Sequence, residues 1–552
     1  MIMNAIKLLQ LFLLVATIEK SATRSFKDDG TIVHLDEGKI RGHILKSENG
    51  NDYYAFQEIP YAEPPVGENR FQLPKLPKPW TGVLDATRNT KICFQDIPLY
   101  KNLEISEDCL YINVYTPEQP GSNKRLPVLL WIHGGAFALG GGTFEYVGPK
   151  YVMDAGIVVV SFNYRLGPFG FVGTNDGVIP LNLGLKDQKL AMEWVNKNIH
   201  LFGGNPDHVT IAGQSAGSIS VGYHLTGPWE NDKQLFHAAI MQSGSPVSGW
   251  LTQEDETSSA LALGRAVDSH FATKDTKELL KVLQKAKARD ILYARPTSGV
   301  STEAEGPFSY GGFEAFLSGN YKKVPVLIGF NSEETAPQAI LNGVAAILLG
   351  SVDRNPGQLV DRRINMSPED RATAGSLLKQ LYTRNTSFRE DFGGYIRHSS
   401  DQLFANGICK QVELASPNMP NYLYQFAYKG EIGQETWFLP FLPPDVEKVA
   451  HVEDTHYLWD DGSTTDLSKF PKSDQLVLHK YVKLWTNFVK FYNPTPKSDA
   501  FLDNVIWEPS EPNSLRYLNI NETLSMQENP RQYKEVNEIM EKYMQPPFVL
   551  FG

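Results

Sequence analysis

The sequence is poor in cysteine and in long hydrophobic runs. Its 552 residues include only three cysteines, Cys93, Cys109 and Cys409, which excludes a small scaffold held together by many disulfides. After the N-terminal segment no stretch stays apolar for about 18 residues, so no membrane-spanning helix is predicted and no membrane partner is expected. We find no internal repeats and no low-complexity linker. The chain is therefore expected to form one large domain.

The sequence also lacks a net positive charge, metal-binding patterns and nucleotide loops. The formal net charge is −11 and the isoelectric point is about 5.6. An acidic protein repels polyphosphate, which argues against nucleic acid as a partner. The sequence contains no H-E-x-x-H pattern and no nucleotide-binding glycine loop, and His451 and His456 are not spaced as a helical metal pair. Neither a metal nor a cofactor is therefore expected.

The N-terminus has the pattern of a secretory signal. Lys7 precedes a mostly apolar run at residues 8–16, which is too short to span a bilayer and has the proportions of a signal-peptide core. We predict a signal peptide over residues 1–22, with cleavage near Ala16 or near Ser21-Ala22, and a single mature domain over residues 23–552. A membrane anchor or a buried helix is the alternative. The predicted location is extracellular.

A secretory route has consequences for cysteine and asparagine. An oxidising compartment favours a disulfide between Cys93 and Cys109, which would close a short loop and stabilise the fold by roughly 3 kcal/mol. Cys409 is left over and is expected to be a buried free thiol. Sequons for N-glycosylation, which are consistent with secretion, occur at Asn365, Asn385 and Asn521.

The middle of the chain alternates segments of strand and helix character. Apolar strands are predicted at 127–132, 156–162, 208–212, 238–241, 324–328 and 422–426, and helices at 185–199, 216–225, 476–491 and 531–544. Continuous apolar strands that alternate with helices indicate a mostly parallel sheet covered by helices on both faces. The stretch 252–316 is less regular, and we expect it to form an irregular insertion above the sheet.

A candidate nucleophile lies between one predicted strand and the helix that follows it. Gly213-Gln214-Ser215-Ala216-Gly217 matches the pattern G-x-S-x-G, which is a weak signal by itself. Here it follows a strand and opens a helix, which is the arrangement that a nucleophile elbow needs. The strained turn holds the Ser215 Oγ above the edge of the sheet, and the flanking glycines let neighbouring backbone approach closely. An incidental Gly-Ser turn is the alternative.

The groups that a nucleophilic serine needs are present in the sequence, with two candidates for the acid and two for the base. A serine hydroxyl requires a base, an acid that orients the base, and N–H donors for the oxyanion. The glycine loop at 131–137 and the N–H of Ala216 can supply the donors. Glu333 and Glu334 both follow the strand where the acid belongs, and His451 and His456 both follow a later strand. Spacing alone does not choose within either pair.

Several segments resemble the type-B carboxylesterase/cholinesterase family. Residues 106–117, SEDCLYINVYTP, resemble its second signature. Further matching segments are IPYAEPPVG at 59–67 followed by Arg70-Phe71, NYRLG at 163–167, GLKDQ at 184–188, FGGNP at 202–206 and LWTNF at 484–488. The resemblance covers about residues 30–510. It implies an α/β-hydrolase fold, in which a central, mostly parallel sheet has helices on both faces and large insertions.

The resemblance also implies roles for particular residues. The acid of the family lies five residues after the glycine at the strand end, here Gly329, which selects Glu334. The register of the histidine motif makes His451 the base and not His456. The other implied sites are the oxyanion donors Gly135, Ala136 and Ala216, the acid-supporting Ser243, and a disulfide between Cys93 and Cys109.

The sequence departs from the family pattern at three positions. Thr335 stands where a glycine usually follows the acid, and Lys448 where a glycine usually lies three residues before the histidine. Both concern loop geometry and not chemistry, because every reacting group is present. Gln214 stands where a glutamate usually precedes the nucleophile. The resulting Gln-Ser-Ala-Gly form resembles that of insect juvenile hormone esterases and their relatives.

The expected function is hydrolysis of carboxylic esters through an acyl-enzyme, with a small-molecule ester as the partner. Ser215 is the predicted nucleophile, His451 the base and Glu334 the acid that orients it. The expected substrates are neutral lipophilic esters, such as juvenile hormone, xenobiotic esters or odorant esters. The alternative is an esterase-like protein that binds or sequesters such molecules and turns them over slowly or not at all. The complete triad argues for the enzyme.

Overall fold

The computed structural model describes most of the chain between residues 31 and 551. The described residues are 31–96, 102–226, 234–249, 251–252, 255–294, 299–303, 308–309, 311–337, 346–433, 438–462 and 466–551. The predicted signal peptide at residues 1–22 lies outside them. Among the helices of the described part, none combines the length and the apolar character that crossing a membrane requires.

The strands are short except where they form the centre of the main sheet. In chain order they are β1 Ile32–His34, β2 Lys39–Arg41, β3 His43–Lys46, β4 Asp52–Pro60, β5 Val83–Asp85, β6 Lys91–Cys93, β7 Glu104–Ser106, β8 Tyr111–Thr116, β9 Leu126–Ile132, β10 Val158–Phe162, β11 Gly204–Gln214, β12 Ala238–Gln242, β13 Val326–Asn331, β14 Asn421–Phe426, β15 Arg516–Ile520 and β16 Ser525–Glu528.

Helices alternate with the central strands and fill the insertions between them. They are α1 Gly167–Phe171, α2 Leu183–Asn198, α3 Ala216–Leu225, α4 Glu256–Val267, α5 Thr276–Lys285, α6 Ala288–Tyr293, α7 Gly312–Ser318, α8 Ala346–Arg354, α9 Pro368–Thr383, α10 Phe392–Ser400, α11 Asn406–Ala415, α12 Lys472–Phe491 and α13 Tyr533–Tyr543. A π-helical turn, Asp401–Ala405, joins α10 to α11.

The main sheet has eleven strands within the described residues, in the order β16-β15-β14-β13-β12-β11-β9-β10-β8-β4-β3. In this order, the neighbouring strands β10, β9, β11, β12, β13, β14 and β15 are parallel to one another. The strands on either side of this group pair antiparallel. The carboxyl ends of β11, β13 and β14 therefore meet at one edge of the sheet. Residues that follow these strands are brought together there, although they are far apart in the chain.

Both faces of the sheet are buried, as alternating side chains on β9 show. Val128, Leu130 and Ile132 belong to the core on the α2 and α3 side, whereas Leu129 and Trp131 belong to the core beneath α12. Successive side chains of a strand point to opposite faces, so a strand covered on both sides must be apolar throughout. The predicted α/β-hydrolase architecture is confirmed, and the predicted strands and helices match the observed ones to within a few residues.

The prediction of an irregular insertion at 252–316 is wrong in its local structure. The segment forms α4, α5, α6 and α7, and its helices bury Leu263, Leu279 and Leu283 in a small core shared with Phe169. The apolar residues of α5 recur at helical spacing, so an amphipathic helix was visible in the sequence. Each of these helices is short, so the apolar pattern of any one of them extends over only a few residues.

The cysteines are arranged as the sequence predicts. Cys93, at the end of β6, is disulfide-bonded to Cys109, and their Cα atoms are 4.9 Å apart. Cys409 lies on α11 as a buried free thiol. Burial raises the pKa of this thiol well above its usual value, which keeps it protonated and unreactive.

Candidate active site

Ser215 occupies a strained turn between β11 and α3. Its backbone angles are φ 56° and ψ −124°, a conformation that residues other than glycine rarely adopt. A Cβ at Gly213 would lie 2.4 Å from the backbone of Gly217, and one at Gly217 would lie 2.1 Å from the carbonyl of Ile132. Both glycines are therefore required by close backbone contact. This strand, turn and helix form the elbow that the motif predicts.

The pair formed by His451 and Glu334 lies at the same edge of the sheet. His451 Nδ1 is 2.6 Å from Glu334 Oε2, and the His451 backbone N–H donates to the Glu334 carbonyl over 3.0 Å. The other carboxylate oxygen accepts the N–H of Asn331 over 2.7 Å. The Glu334 side chain is 1% exposed and that of His451 is 19% exposed. The acid is thus buried and fixed, while the imidazole reaches solvent or substrate.

The structure distinguishes Glu334 from Glu333 and His451 from His456, a choice that sequence spacing left open. The Glu333 carboxylate points the other way, to the guanidinium of Arg531 at 3.1 Å. His456 lies 3.4 Å from Asp461. The observed acid–imidazole pair is therefore Glu334 with His451, the pair that the family resemblance implies.

Gln214 connects the elbow to the imidazole. Its Nε2 is 3.2 Å from Nε2 of His451. When His451 donates its Nδ1–H to Glu334, Nε2 is the acceptor and the Gln214 amide is the donor. Since Ser215 follows Gln214 directly, the elbow lies beside the ring nitrogen that a general base would use.

The glycine loop after β9 lies against the elbow in an unusual backbone conformation. Gly135 and Ala136 have φ angles of 106° and 53°. A Cβ at Gly134 would lie 2.5 Å from the Gln214 carbonyl, so the loop and the elbow touch. Ala216, the third predicted oxyanion donor, is the first residue of α3, where helix N–H groups are unpaired and the dipole favours negative charge.

Tyr164 and His133 brace this glycine loop. The Tyr164 hydroxyl donates to the His133 carbonyl over 2.9 Å, and the two rings stack with centroids 4.4 Å apart. His133 Nδ1 is 2.8 Å from the Gly134 carbonyl. Burial lowers the pKa of His133 to about 4, so this ring is neutral at physiological pH. A neutral, stacked histidine fixes the loop without placing a charge beside the predicted oxyanion donors.

Ser243 and Asp454 lie in the buried surroundings of the acid. Ser243 follows β12 with φ 53°, and its Oγ has no hydrogen-bond partner within the described residues. Asp454 accepts hydrogen bonds from the side chains of Gln242, Asn331, Tyr424 and Tyr481. The acid loop is therefore supported through Asn331 and Asp454, and the supporting role expected for Ser243 stays a prediction. No role for Asp454 was predicted from the sequence, although it lies three residues after His451.

The departures from the family pattern at Thr335 and Lys448 fit the loops without strain. The Thr335 backbone N–H donates to Ser400 Oγ over 3.1 Å, and its hydroxyl contacts the same oxygen at 3.1 Å. Lys448 is exposed. The sequon residues Asn365, Asn385 and Asn521 are also exposed, and their glycosylation stays a prediction.

No group of three or more His, Cys, Asp or Glu side chains in the described part of the chain is arranged to hold a metal ion. The expectation that the site works without metal or cofactor comes from its chemistry: a serine, an imidazole and a carboxylate suffice for acyl transfer.

Comparison with known proteins identifies the same family that the sequence motifs resemble. The sequence model described as the Carboxylesterase family matches residues 29–537. The chain belongs to the carboxylesterase family. This carboxylesterase is 32% identical to a juvenile hormone esterase of Tribolium castaneum over 530 residues, which are 89% of this chain and 88% of that protein. It is also 32% identical to esterase FE4 of Myzus persicae over 506 residues, 87% of each chain.

A solved structure resembles this carboxylesterase over nearly its whole length. It is the crystal structure of juvenile hormone esterase from Manduca sexta with OTFP covalently attached. The TM-score is 0.80 and the identity 26%, and the match covers 93% of this chain and 99% of that one. The α/β-hydrolase fold and the predicted family are confirmed, and this carboxylesterase is a carboxylic ester hydrolase.

Proposed function

We propose that this protein is a secreted serine esterase that hydrolyses neutral lipophilic esters with Ser215, His451 and Glu334. The observation that carries the proposal is the 2.6 Å contact between the buried Glu334 carboxylate and the partly exposed His451 imidazole, which is also joined to the elbow through Gln214. The N-terminal signal pattern supports secretion. The exposed sequons and the disulfide are in keeping with an extracellular location.

The reaction begins with attack by the Ser215 oxygen on the ester carbonyl carbon. His451 Nε2 takes the hydroxyl proton as the new C–O bond forms, and Glu334 stabilises the resulting imidazolium through Nδ1–H. The imidazolium then returns the proton to the alkoxide leaving group, and the alcohol departs. Water repeats the sequence on the acyl-enzyme, with His451 again as base, and releases the carboxylic acid and free Ser215.

The negative charge on the tetrahedral intermediate is met by N–H groups of Gly135, Ala136 and Ala216. The first two belong to the braced glycine loop, and the third begins α3. Donors that are fixed before the reaction stabilise the developing oxyanion without reorganisation, and each contributes about 3 kcal/mol to lowering the barrier.

Covalent labelling separates the enzyme from a binding or sequestration protein. A fluorophosphonate should label Ser215 in the secreted protein, and label should be absent from the Ser215→Ala variant. Stoichiometric labelling together with turnover of short neutral esters supports the proposal. If a folded protein binds lipophilic esters but takes up no label, the sequestration alternative is favoured.

Neutral esters are expected to be better substrates than choline esters. A quaternary ammonium needs an aromatic face or a negative charge to replace its hydration. Gln214 places a neutral amide beside the nucleophile, and between Cys93 and Cys109 the sequence has no tryptophan, only Phe94 and Tyr100 as aromatics. We expect kcat/KM for an uncharged thioester to exceed that for butyrylthiocholine, matched in acyl group, by roughly 30-fold, the equivalent of ~2 kcal/mol. Preference for the choline compound would contradict the substrate class and leave the triad untouched.

Glu334→Gln is expected to lower kcat by roughly 10⁴-fold, because the amide presents the wrong hydrogen-bond pattern to Nδ1 and cannot stabilise the imidazolium. Glu333→Gln is the matched control, since it makes the same change one residue away on a carboxylate that faces Arg531. It should lower kcat by about tenfold at most, because it weakens only the ion pair with Arg531. Steady-state kinetics on both variants decide the matter, and equal losses would mean that the two carboxylates share the role.

Juvenile hormone is one candidate substrate, because several similar proteins carry the name juvenile hormone esterase. Xenobiotic and odorant esters are the others, since all three classes are neutral and lipophilic. A series of esters that varies the acyl and alcohol length on the purified protein distinguishes them by the ratio of kcat/KM values.

A further inference from the structure

Arg531 is a largely buried arginine that contacts the two residues preceding the proposed acid. It precedes α13, near the C-terminal end of the described chain, and its side chain is 11% exposed. Its guanidinium donates to the Ser332 carbonyl, to Glu333 Oε1 over 3.1 Å, and to the Asp401 carboxylate. One side chain thus holds two segments that are about 70 residues apart in sequence.

Both of these segments contact the proposed catalytic pair. Ser332 and Glu333 immediately precede Glu334 in the loop after β13. Asp401 begins the π-helical turn Asp401–Ala405, and Phe404 of that turn packs on the His451 ring with centroids 4.7 Å apart. A π-helical turn within longer helices often marks a functional site. Arg531 therefore links the loop that carries the acid to the segment that supports the imidazole.

The charges around Arg531 need a guanidinium and not another cation. Glu333 and Asp401 are both buried, and the Tyr382 hydroxyl donates to Asp401 over 2.8 Å. Burial raises the pKa of Glu333 to about 7 and also raises the pKa of Asp401, although Arg531 opposes both effects. Two buried carboxylates and a carbonyl lie in different directions, which the planar fork of arginine matches and a single ammonium does not.

We propose that Arg531 is a positioning residue for ester hydrolysis, which holds Glu334 and His451 in register by clamping the acid loop to the π-helical turn. The inference rests on the proposed function. A displacement of about 1 Å at a catalytic group can cost roughly 100-fold in rate. Loss of the clamp at Arg531 is therefore expected to lower turnover.

Arg531→Lys keeps the charge and removes the fork. We expect kcat for a neutral ester to fall by about tenfold or more with KM unchanged, because the substrate pocket is intact and the acid–imidazole contact is not. A looser contact stabilises the imidazolium less, so the acid limb of the kcat/KM profile should move to lower pH. The downfield proton resonance of His451 Nδ1–H should also shift or broaden.

Arg70→Lys is the matched control. Arg70 is equally buried, with its side chain 11% exposed, and it pairs with Glu107 and with the carbonyls of Leu283, Gln284 and Ala286. None of these partners adjoins the proposed triad. This variant should lose thermal stability to a similar extent while kcat, the acid limb and the proton resonance stay as in the wild type.

Unchanged kcat, pH profile and proton resonance in folded Arg531→Lys would overturn the proposal and leave a purely structural ion pair. The same holds if Arg70→Lys reproduces every effect. Should Arg531→Lys not fold, Asp401→Asn loosens the anchor of the π-helical turn and is expected to lower kcat in the same way; no effect there also overturns the proposal. Labelling of Ser215 in the wild-type protein tests the proposed function independently.

Discussion

Ser215→Ala is expected to lower kcat for ester hydrolysis by roughly 10⁶-fold, because no other group in the elbow can form the acyl-enzyme. The fold should remain, since the substitution removes one hydroxyl from a turn whose conformation depends on Gly213 and Gly217. Steady-state turnover of a neutral ester measures the loss, and thermal unfolding checks that the protein is folded.

Ser218→Ala is the control for this experiment. Ser218 lies on α3, three residues after Ser215, and its Oγ donates to the Gly244 carbonyl over 2.6 Å. Its loss should cost stability and little activity. Near wild-type hydrolysis by a folded Ser215→Ala protein would falsify the assignment of the nucleophile and, with it, the proposed mechanism.

His451→Ala is expected to reduce kcat by a similar factor, roughly 10⁶-fold, because serine without a general base is not activated and Glu334 is left without its partner. Residual activity should no longer fall in acid, since the group whose protonation stops the reaction has been removed. The kcat/KM profile from acid to neutral pH, measured on both proteins, tests this.

His456→Ala makes the matched change in the second histidine of the same short segment. His456 pairs with Asp461, at 3.4 Å between Nδ1 and a carboxylate oxygen, whereas His451 pairs with Glu334. Its activity should remain close to wild type. The reverse outcome, with His456 essential and His451 dispensable, would show that the register of the histidine motif is wrong.

Local sequence pattern was enough for the elbow, the glycine loop and the sheet. Each of these depends on residues that are contiguous in the chain: the apolar strands, the glycines that close contacts require, and the serine between strand and helix. The two cysteines of the disulfide were also predictable, because only one short loop could be closed. The helices α4 to α7 of the insertion were not predicted, because they are short and pack into a small core of their own.

The choice between Glu333 and Glu334 shows a limit of what local sequence pattern can predict. Both are acidic, both are buried and both follow β13. The family resemblance selected Glu334, and the structure shows the physical difference: one carboxylate faces His451 and the other faces Arg531. The direction in which a side chain points after a strand depends on loops that arrive from distant parts of the chain.

By itself, the sequence determined the class of chemistry, the fold and the candidate nucleophile, because these are encoded by neighbouring residues and by their periodicity. Only the tertiary structure decided which groups surround the acid and the imidazole. Arg531 lies about 200 residues from the acid loop in sequence, and Phe404 and Asp454 reach His451 and the acid through separate segments. Such contacts arise when parallel strands bring their carboxyl ends to one edge of a sheet, and no periodicity along the chain records them.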